Sequence, residues 1–341
     1  MSTLYETFLP LVQSLNEYGG NFTAHFVSCP VLDAIDSGAS HDKNLADFRS
    51  KLLSKMNGWK GLQDHTTFSA LFETFYEAVF YLVAAERGVQ LQAIPAGAAK
   101  GKTPDFQTQQ NPLVGFEVKT INVADPQRTY DSSMAGGIDA GLEAQEQAAQ
   151  SGLGIVARTV QPHGNAKDRK EALEQVMKKV DANVKAGQYQ AVPTFLVVSL
   201  VRTALHERAE NLRKWLPWPG QSLPVNGQLF AVAAHDAGDP FNFFPEWGNS
   251  VVDLGPLNRA GILRDHPFIA GMIFVVTEWS KADCPDAVKK AYALNGIWNS
   301  EWEADNSFSA EAVESAKSTF LRLCDAWNDT KDTRSAHLPT R

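Results

Sequence analysis

The ten residues Val192-Pro-Thr-Phe-Leu-Val-Val-Ser-Leu-Val201 limit the fold more than any other stretch of the chain. The run is short, rich in β-branched and apolar side chains, and shows no alternation of apolar with charged residues. That is the pattern of a central strand buried on both faces. Such a strand needs a layer of structure over each face, so it predicts an α/β protein. Two helical patterns precede it. Residues 66–87 carry Phe68, Leu71, Phe72, Phe75, Val79 and Leu82 at helical spacing, and Gly88 supplies a stop. Residues 167–186 read as a second helix, ended at Gly187.

Between these helices, Thr103 to Thr120 reads TPDFQTQQNPLVGFEVKT. Val89 to Ile94 forms a strand ahead of it, Asn111-Pro112 breaks it with a turn, and Leu113 to Lys119 alternates like a strand. Residues two apart on a strand share a face, so Glu117 and Lys119 point one way while Phe116 and Val118 point the other. If the turn folds the chain back antiparallel, Asp105 lies beside the pair. Two carboxylates meeting at a strand end form a hard-oxygen site suited to Mg²⁺, and an adjacent lysine can orient a water or stabilise phosphoryl charge.

Pro104, Asp105, Glu117 and Lys119, in the order helix, three strands, helix, strand, resemble the PD-(D/E)xK nuclease superfamily. The resemblance implies a restriction-endonuclease-like core, a mixed central sheet flanked by helices, spanning residues 61–215. It implies a nuclease that hydrolyses phosphodiester bonds with Mg²⁺, for which Mn²⁺ substitutes. Asp105, Glu117 and the Val118 carbonyl would hold the metal, and Lys119 would position or activate the attacking water. An acidic residue of the first helix often completes such a site. Glu73 and Glu77 share one face of that helix, and Glu77 fits the place better. The Gln-x-x-x-Tyr motif of the RecB-like and Cas4-like branch is missing, since Gln175 is followed by Val-Met-Lys-Lys. The implied partner is nucleic acid, DNA first, in a restriction, defence or repair role, with a homodimer as one admissible assembly.

Ala96-Gly-Ala-Ala-Lys-Gly101-Lys102-Thr103 also fits a relaxed P-loop pattern. A P-loop must open a helix, whereas Pro104 pushes Thr103 away from the helical region and no apolar stripe follows. Lys100 and Lys102 read better as a basic loop beside a nucleic-acid backbone. From Arg158 to Lys185 seven basic residues face four acids, and Lys178 and Lys179 are the candidate phosphate contacts there. His163 reads as a surface-loop residue. His235-Asp236 and Asp265-His266 lack ligand spacing and stay unassigned. Two alternatives remain open at this stage: a catalytically silent nuclease-fold protein that binds nucleic acid, and an unrelated nucleotide-binding α/β protein using the loop around Lys102.

Composition bounds rather than decides. The 341 residues are 44% hydrophobic and 21% charged, ordinary for a soluble globular chain. No apolar run reaches the length of a membrane span and the N-terminus lacks a basic leader start, so the expectation is a cytoplasmic protein with no membrane partner. A net charge of −8 argues against a general nucleic-acid-coating surface but leaves local contacts free. Cys29, Cys284 and Cys324 are odd in number and far apart, which points to neither disulfides nor zinc.

Residues 1–60 read as an N-terminal helical addition with amphipathic segments near Leu4 to Leu15 and Leu45 to Met56, joined by a Gly/Ser-containing stretch with Cys29-Pro30. Residues 125–165 form an insertion that turns through Met134 to Gly137 into a Gln/Glu/Ala-rich helix, placed to gate the site. Residues 216–341 either extend the sheet or build a small α/β subdomain. Within them Gln228 to Ala234 is expected as a strand, Phe268 to Thr277 as a sheet strand, and Ala310 to Trp327 as a closing helix.

Overall fold

Among the described residues, seven strands form one mixed sheet. The computed structural model describes residues 3–16, 27–61, 64–95, 103–121, 141–150, 169–200, 209–216, 225–243, 251–277 and 292–331. Strands β1 (Leu91–Ala93), β2 (Phe106–Thr108) and β3 (Gly115–Thr120) run antiparallel in turn, as the turn at Asn111-Pro112 implies. β4 (Thr194–Ser199) is wholly buried and lies parallel to both β3 and β9 (Gly271–Thr277), the central position expected of an unbroken apolar run. β10 (Tyr292–Trp298) returns antiparallel to β9, and β11 (Ala326–Asp329) closes the sheet parallel to β10. The region beyond residue 216 therefore extends the central sheet, and adds the short pairs β5 (Trp215–Leu216) with β6 (Val225–Asn226) and β7 (Pro240–Phe243) with β8 (Val252–Pro256).

Alternation along the strands sorts the interior into two cores, one per sheet face. Phe106, Phe116, Val118, Phe195, Val197, Ile273 and Val275 point to the first. They meet α1 (Leu4–Asn16), α2 (Cys29–Gly38), α3 (Lys43–Gly58), α4 (His65–Glu86) and α10 (Ala310–Leu323). Leu196, Val198, Met272 and Phe274 point to the second, covered by α6 (Arg169–Asn183), α7 (Gln228–Ala234) and α8 (Ile262–Asp265). Residues 141–150 form α5, and Ser300–Asp305 form α9.

The first helical layer is wired by polar caps as well as packed. Asp42 caps α3 by accepting from the Asn44 and Leu45 backbone N–H groups, and its other oxygen accepts the Tyr81 hydroxyl of α4 at 2.6 Å. Asp36 of α2 accepts from the Leu4 backbone at 2.6 Å and from Arg49 of α3 at 2.6 Å. This α2 is an addition to the sequence expectation, which left Cys29-Pro30 in a connecting stretch. Pro30 in fact stands at the first turn of a helix, where its missing N–H costs nothing. All the N-terminal helices share the core of the sheet's first face.

α4 is long and apolar enough to cross a membrane by length and composition, yet its apolar window is 67% buried inside this fold. Gly88, at φ +73°, turns the chain out of it into β1. One strand expectation is corrected. Gln228–Ala234 is a helix, and all seven of its residues are buried. An apolar segment enclosed on every side loses the amphipathic period that separates helix from strand.

Candidate functional site

The register of β2 on β3 decides where the motif residues fall. Phe106 pairs with Phe116 and Gln107 with Gly115, so one step further sets Asp105 across from Glu117. The pairing is tight because Gly115 has no side chain: a Cβ there would stand 2.5 Å from Thr194 Oγ1 and 3.0 Å from Pro104 Cγ. The Asp105 backbone carbonyl accepts from Ile94 N at 2.9 Å, which ties it to the β1 end. Its carboxylate accepts from Val118 N at 2.8 Å.

Glu117 and Lys119 share the sheet's second face, as strand alternation requires. Lys119 Nζ bonds Glu117 Oε1 and lies 3.7 Å from Asp105 Oδ2. Glu117 is fully buried, whereas the Asp105 and Lys119 side chains keep 35% and 24% of their exposure, so the cluster opens to solvent on their side. The second face also delivers Gln188, in a 3₁₀ turn at Ala186–Tyr189 after α6; its amide donates to Glu117 Oε1 at 2.6 Å. Glu117 Oε2 is buried with no hydrogen-bond partner among the described residues.

The electrostatics follow from burial among like charges. Burial, then the Asp105 charge, pushes the Glu117 carboxyl above its ordinary range, against Lys119 and Gln188. For Lys119 burial pulls downward, but Asp105 and then Glu117 outweigh it, and the ammonium is held above its usual range. It is therefore a cation at neutral pH, suited to orient a water or stabilise negative charge rather than to take up a proton. Glu77 of α4 is half-buried, and burial followed by Asp105 raises it to about 7, with Lys51, Lys119 and Lys55 opposing. Glu73 is exposed.

That shift has a stability consequence. A carboxyl that keeps its proton in the fold up to about pH 7, but loses it near 4.5 when unfolded, makes the fold bind more protons than the unfolded chain between those values. Stability should therefore fall as pH rises from about 4.5 to about 7 and level off above, by no more than about 3 kcal/mol from this group. Glu77→Gln should abolish that component in metal-free protein, measured as the urea midpoint against pH; an unaltered slope would remove Glu77 from the buried cluster.

One backbone atom joins the set. In an antiparallel ladder the N–H and C=O of a residue point to the same neighbour, and Val118 N–H points toward β2. Its carbonyl faces the same way, opposite Pro104 in the continued register, and a proline nitrogen carries no hydrogen to donate. The Val118 carbonyl thus receives no ladder bond from Pro104. Asp105, Glu117 Oε2 and this carbonyl are hard oxygen donors, which is the donor chemistry a Mg²⁺ ion requires. Among the described residues no group of three or more His, Cys, Asp and Glu side chains could hold an ion.

The remaining candidates separate. Thr103 to Asp105 are non-helical and lead into β2, so no helix opens there as a P-loop would need. Lys100, Lys102 and His163 lie outside the described residues. Lys178 is exposed and Lys179 half-buried on α6; on the same helix Glu174 accepts from the Asn258 backbone at 2.8 Å, and Asp181 binds Arg259 at 2.6 Å and His266 at 2.7 Å. Asp236 binds Lys214 and Arg264, and the buried His235 faces the Asp239 carbonyl, so these pairs belong to packing between elements.

Two parts of the site escape the sequence reading. Gln188 and Tyr189 lie in a short turn with no periodic pattern to mark them. Lys55 of α3, held by the Ala70 carbonyl at 2.8 Å and Thr74 Oγ1 at 2.6 Å, is brought near Glu77 only by helix packing. The spacing of Lys51 and Lys55, four apart on one helix face, was its sole trace.

No protein-family model, curated protein or solved structure matches this chain.

Proposed function

We propose that the chain is a metal-dependent nuclease with a restriction-endonuclease-like core, hydrolysing phosphodiester bonds of nucleic acid, DNA in the first instance. One observation carries the reading: Asp105 and Glu117 stand across from each other on paired strands, with Lys119 bonded to one carboxylate and near the other. A run of matching letters has no reason to produce that convergence unless the residues act together.

Asp105, Glu117 Oε2 and the Val118 carbonyl would hold Mg²⁺, which when bound supplies Lewis acidity toward a phosphoryl oxygen and lowers the pKa of a coordinated water. The residues do the rest. Lys119, kept protonated by its two carboxylates, places a positive charge where the phosphoryl group gains negative charge and donates a hydrogen bond that orients the attacking water. Gln188 steadies Glu117. Glu77, ionising near neutrality, adds negative charge to a cluster that already favours a divalent cation. A cytoplasmic setting and a role in restriction, defence or repair belong to the same proposal.

The test is cleavage of plasmid, linear duplex and single-stranded DNA, and of RNA, with Mg²⁺, with Mn²⁺ and with EDTA, alongside an ATP-binding control. The expected result is cleavage of at least one nucleic acid with either metal and none with EDTA. Nucleic-acid binding without cleavage under any metal would make this a silent nuclease fold, and ATP binding alone would restore the nucleotide reading.

A further inference from the structure

Three buried polar atoms on the wall of the proposed centre have no hydrogen-bond partner among the described residues: Glu117 Oε2, Gln188 Oε1 and the Tyr189 hydroxyl. Glu117 is 0% exposed, Gln188 7% and Tyr189 2%. Unsatisfied polar atoms at that depth are costly, and native proteins rarely leave three together without a ligand to engage them. Two of the three come from consecutive residues of the 3₁₀ turn Ala186–Tyr189.

The geometry fixes their division of labour. Glu117 Oε1 is already engaged twice, by Lys119 Nζ and by the Gln188 amide at 2.6 Å, so the carboxylate cannot rotate without breaking both bonds. Its other oxygen is thereby presented in one orientation. Gln188 Oε1 is tethered through the same side chain, and adds an acceptor near Glu117. The Tyr189 hydroxyl, carried by the residue next to Gln188, adds a donor; burial first, then the charges of Glu117 and Asp105, hold it in the protonated form. Tyr189 is wedged in position by its ring packing on Phe268, centroids 5.6 Å apart.

We infer that Gln188 and Tyr189 are positioning residues of the metal centre: Gln188 locks Glu117 so that Oε2 is offered to a divalent cation, and the Gln188 carbonyl with the Tyr189 hydroxyl engages the ion's coordinated water. Partners that orient a ligand in this way set metal affinity as strongly as many direct ligands do. The inference rests on the proposed metal centre and deepens it.

The experiment measures Mn²⁺ binding by electron paramagnetic resonance and calorimetry in the full chain, together with the metal-free unfolding temperature, for wild type, Gln188→Met and Tyr189→Phe. Gln188→Met keeps the shape and deletes the amide, so the Mn²⁺ dissociation constant should rise about 10- to 100-fold. Tyr189→Phe removes a hydroxyl with no partner among the described residues, so the metal-free unfolding temperature should stay level or rise while Mn²⁺ affinity falls at least about threefold. A purely structural residue would not show that opposition. Should Gln188→Met fail to fold, the Tyr189→Phe result decides. Wild-type affinity in the folded variants overturns the inference and leaves the nuclease proposal standing; absence of Mn²⁺ binding in wild type overturns both.

Discussion

Asp105→Asn or Glu117→Gln should reduce Mg²⁺-dependent cleavage at least about a thousandfold, equivalent to about 4 kcal/mol of transition-state stabilisation, and leave the fold in place. Both carboxylates lie in one small set of oxygen donors, so neutralising either removes a large part of the attraction for a divalent cation. The fold should survive for different reasons at the two positions. An asparagine at 105 retains a carbonyl oxygen that can accept from Val118 N, as the carboxylate does at 2.8 Å. A glutamine at 117 removes a fully buried charge that burial already disfavours, and it loses only the ionic component of the Lys119 contact. Cleavage rates over a range of Mg²⁺ concentrations, with circular dichroism as the control for folding, provide the measurement. Undiminished cleavage by Asp105→Asn would refute the assignment of the site.

Phe195→Ala should cost about 3–5 kcal/mol, the largest stability loss expected from a single core truncation here. Phe195 lies on the central strand with no exposed surface. Its ring stacks on Phe116 of β3 at 5.8 Å and on Phe320 of α10 at 5.5 Å, and also meets Trp298 of β10 at 5.9 Å. Truncation therefore opens a cavity between the strand that carries Glu117 and α10, and the aromatic neighbours cannot all move in. Denaturant titration reads the effect as a shift in midpoint at constant slope. A loss below about 1 kcal/mol would mean that the two ends of the first core fold independently of this ring.

The legible parts of the fold were those with a strong local period or an unmistakable lack of one. The run at 192–201 gave the buried central strand, and the spacing of Phe68 to Leu82 gave α4 to within one residue at each end. The Pro104 to Lys119 segment was legible for the same reason, since a two-residue period and a short turn dictate which side chains share a face. What sequence could not supply was the second layer of the site. Gln188 reaches Glu117 across 71 positions, and only the packing of α6 on the sheet determines that meeting. The helix at Gln228–Ala234 was misread because complete enclosure erases the polar face that normally marks a helix. Cys29-Pro30 was read as connection, although a proline there is as consistent with a helix start as with a turn.

Pro104 gains a different meaning from the ladder it interrupts. An amino acid with a backbone N–H at that position could close one more rung between β2 and β3, and its donor would be aimed at the Val118 carbonyl. In the proposed centre the sheet and the ion would be rivals for a single oxygen. By withholding one hydrogen, the proline would decide that contest before any ligand arrives: β2 begins at Phe106, and the missing rung leaves the Val118 carbonyl without a bond from Pro104.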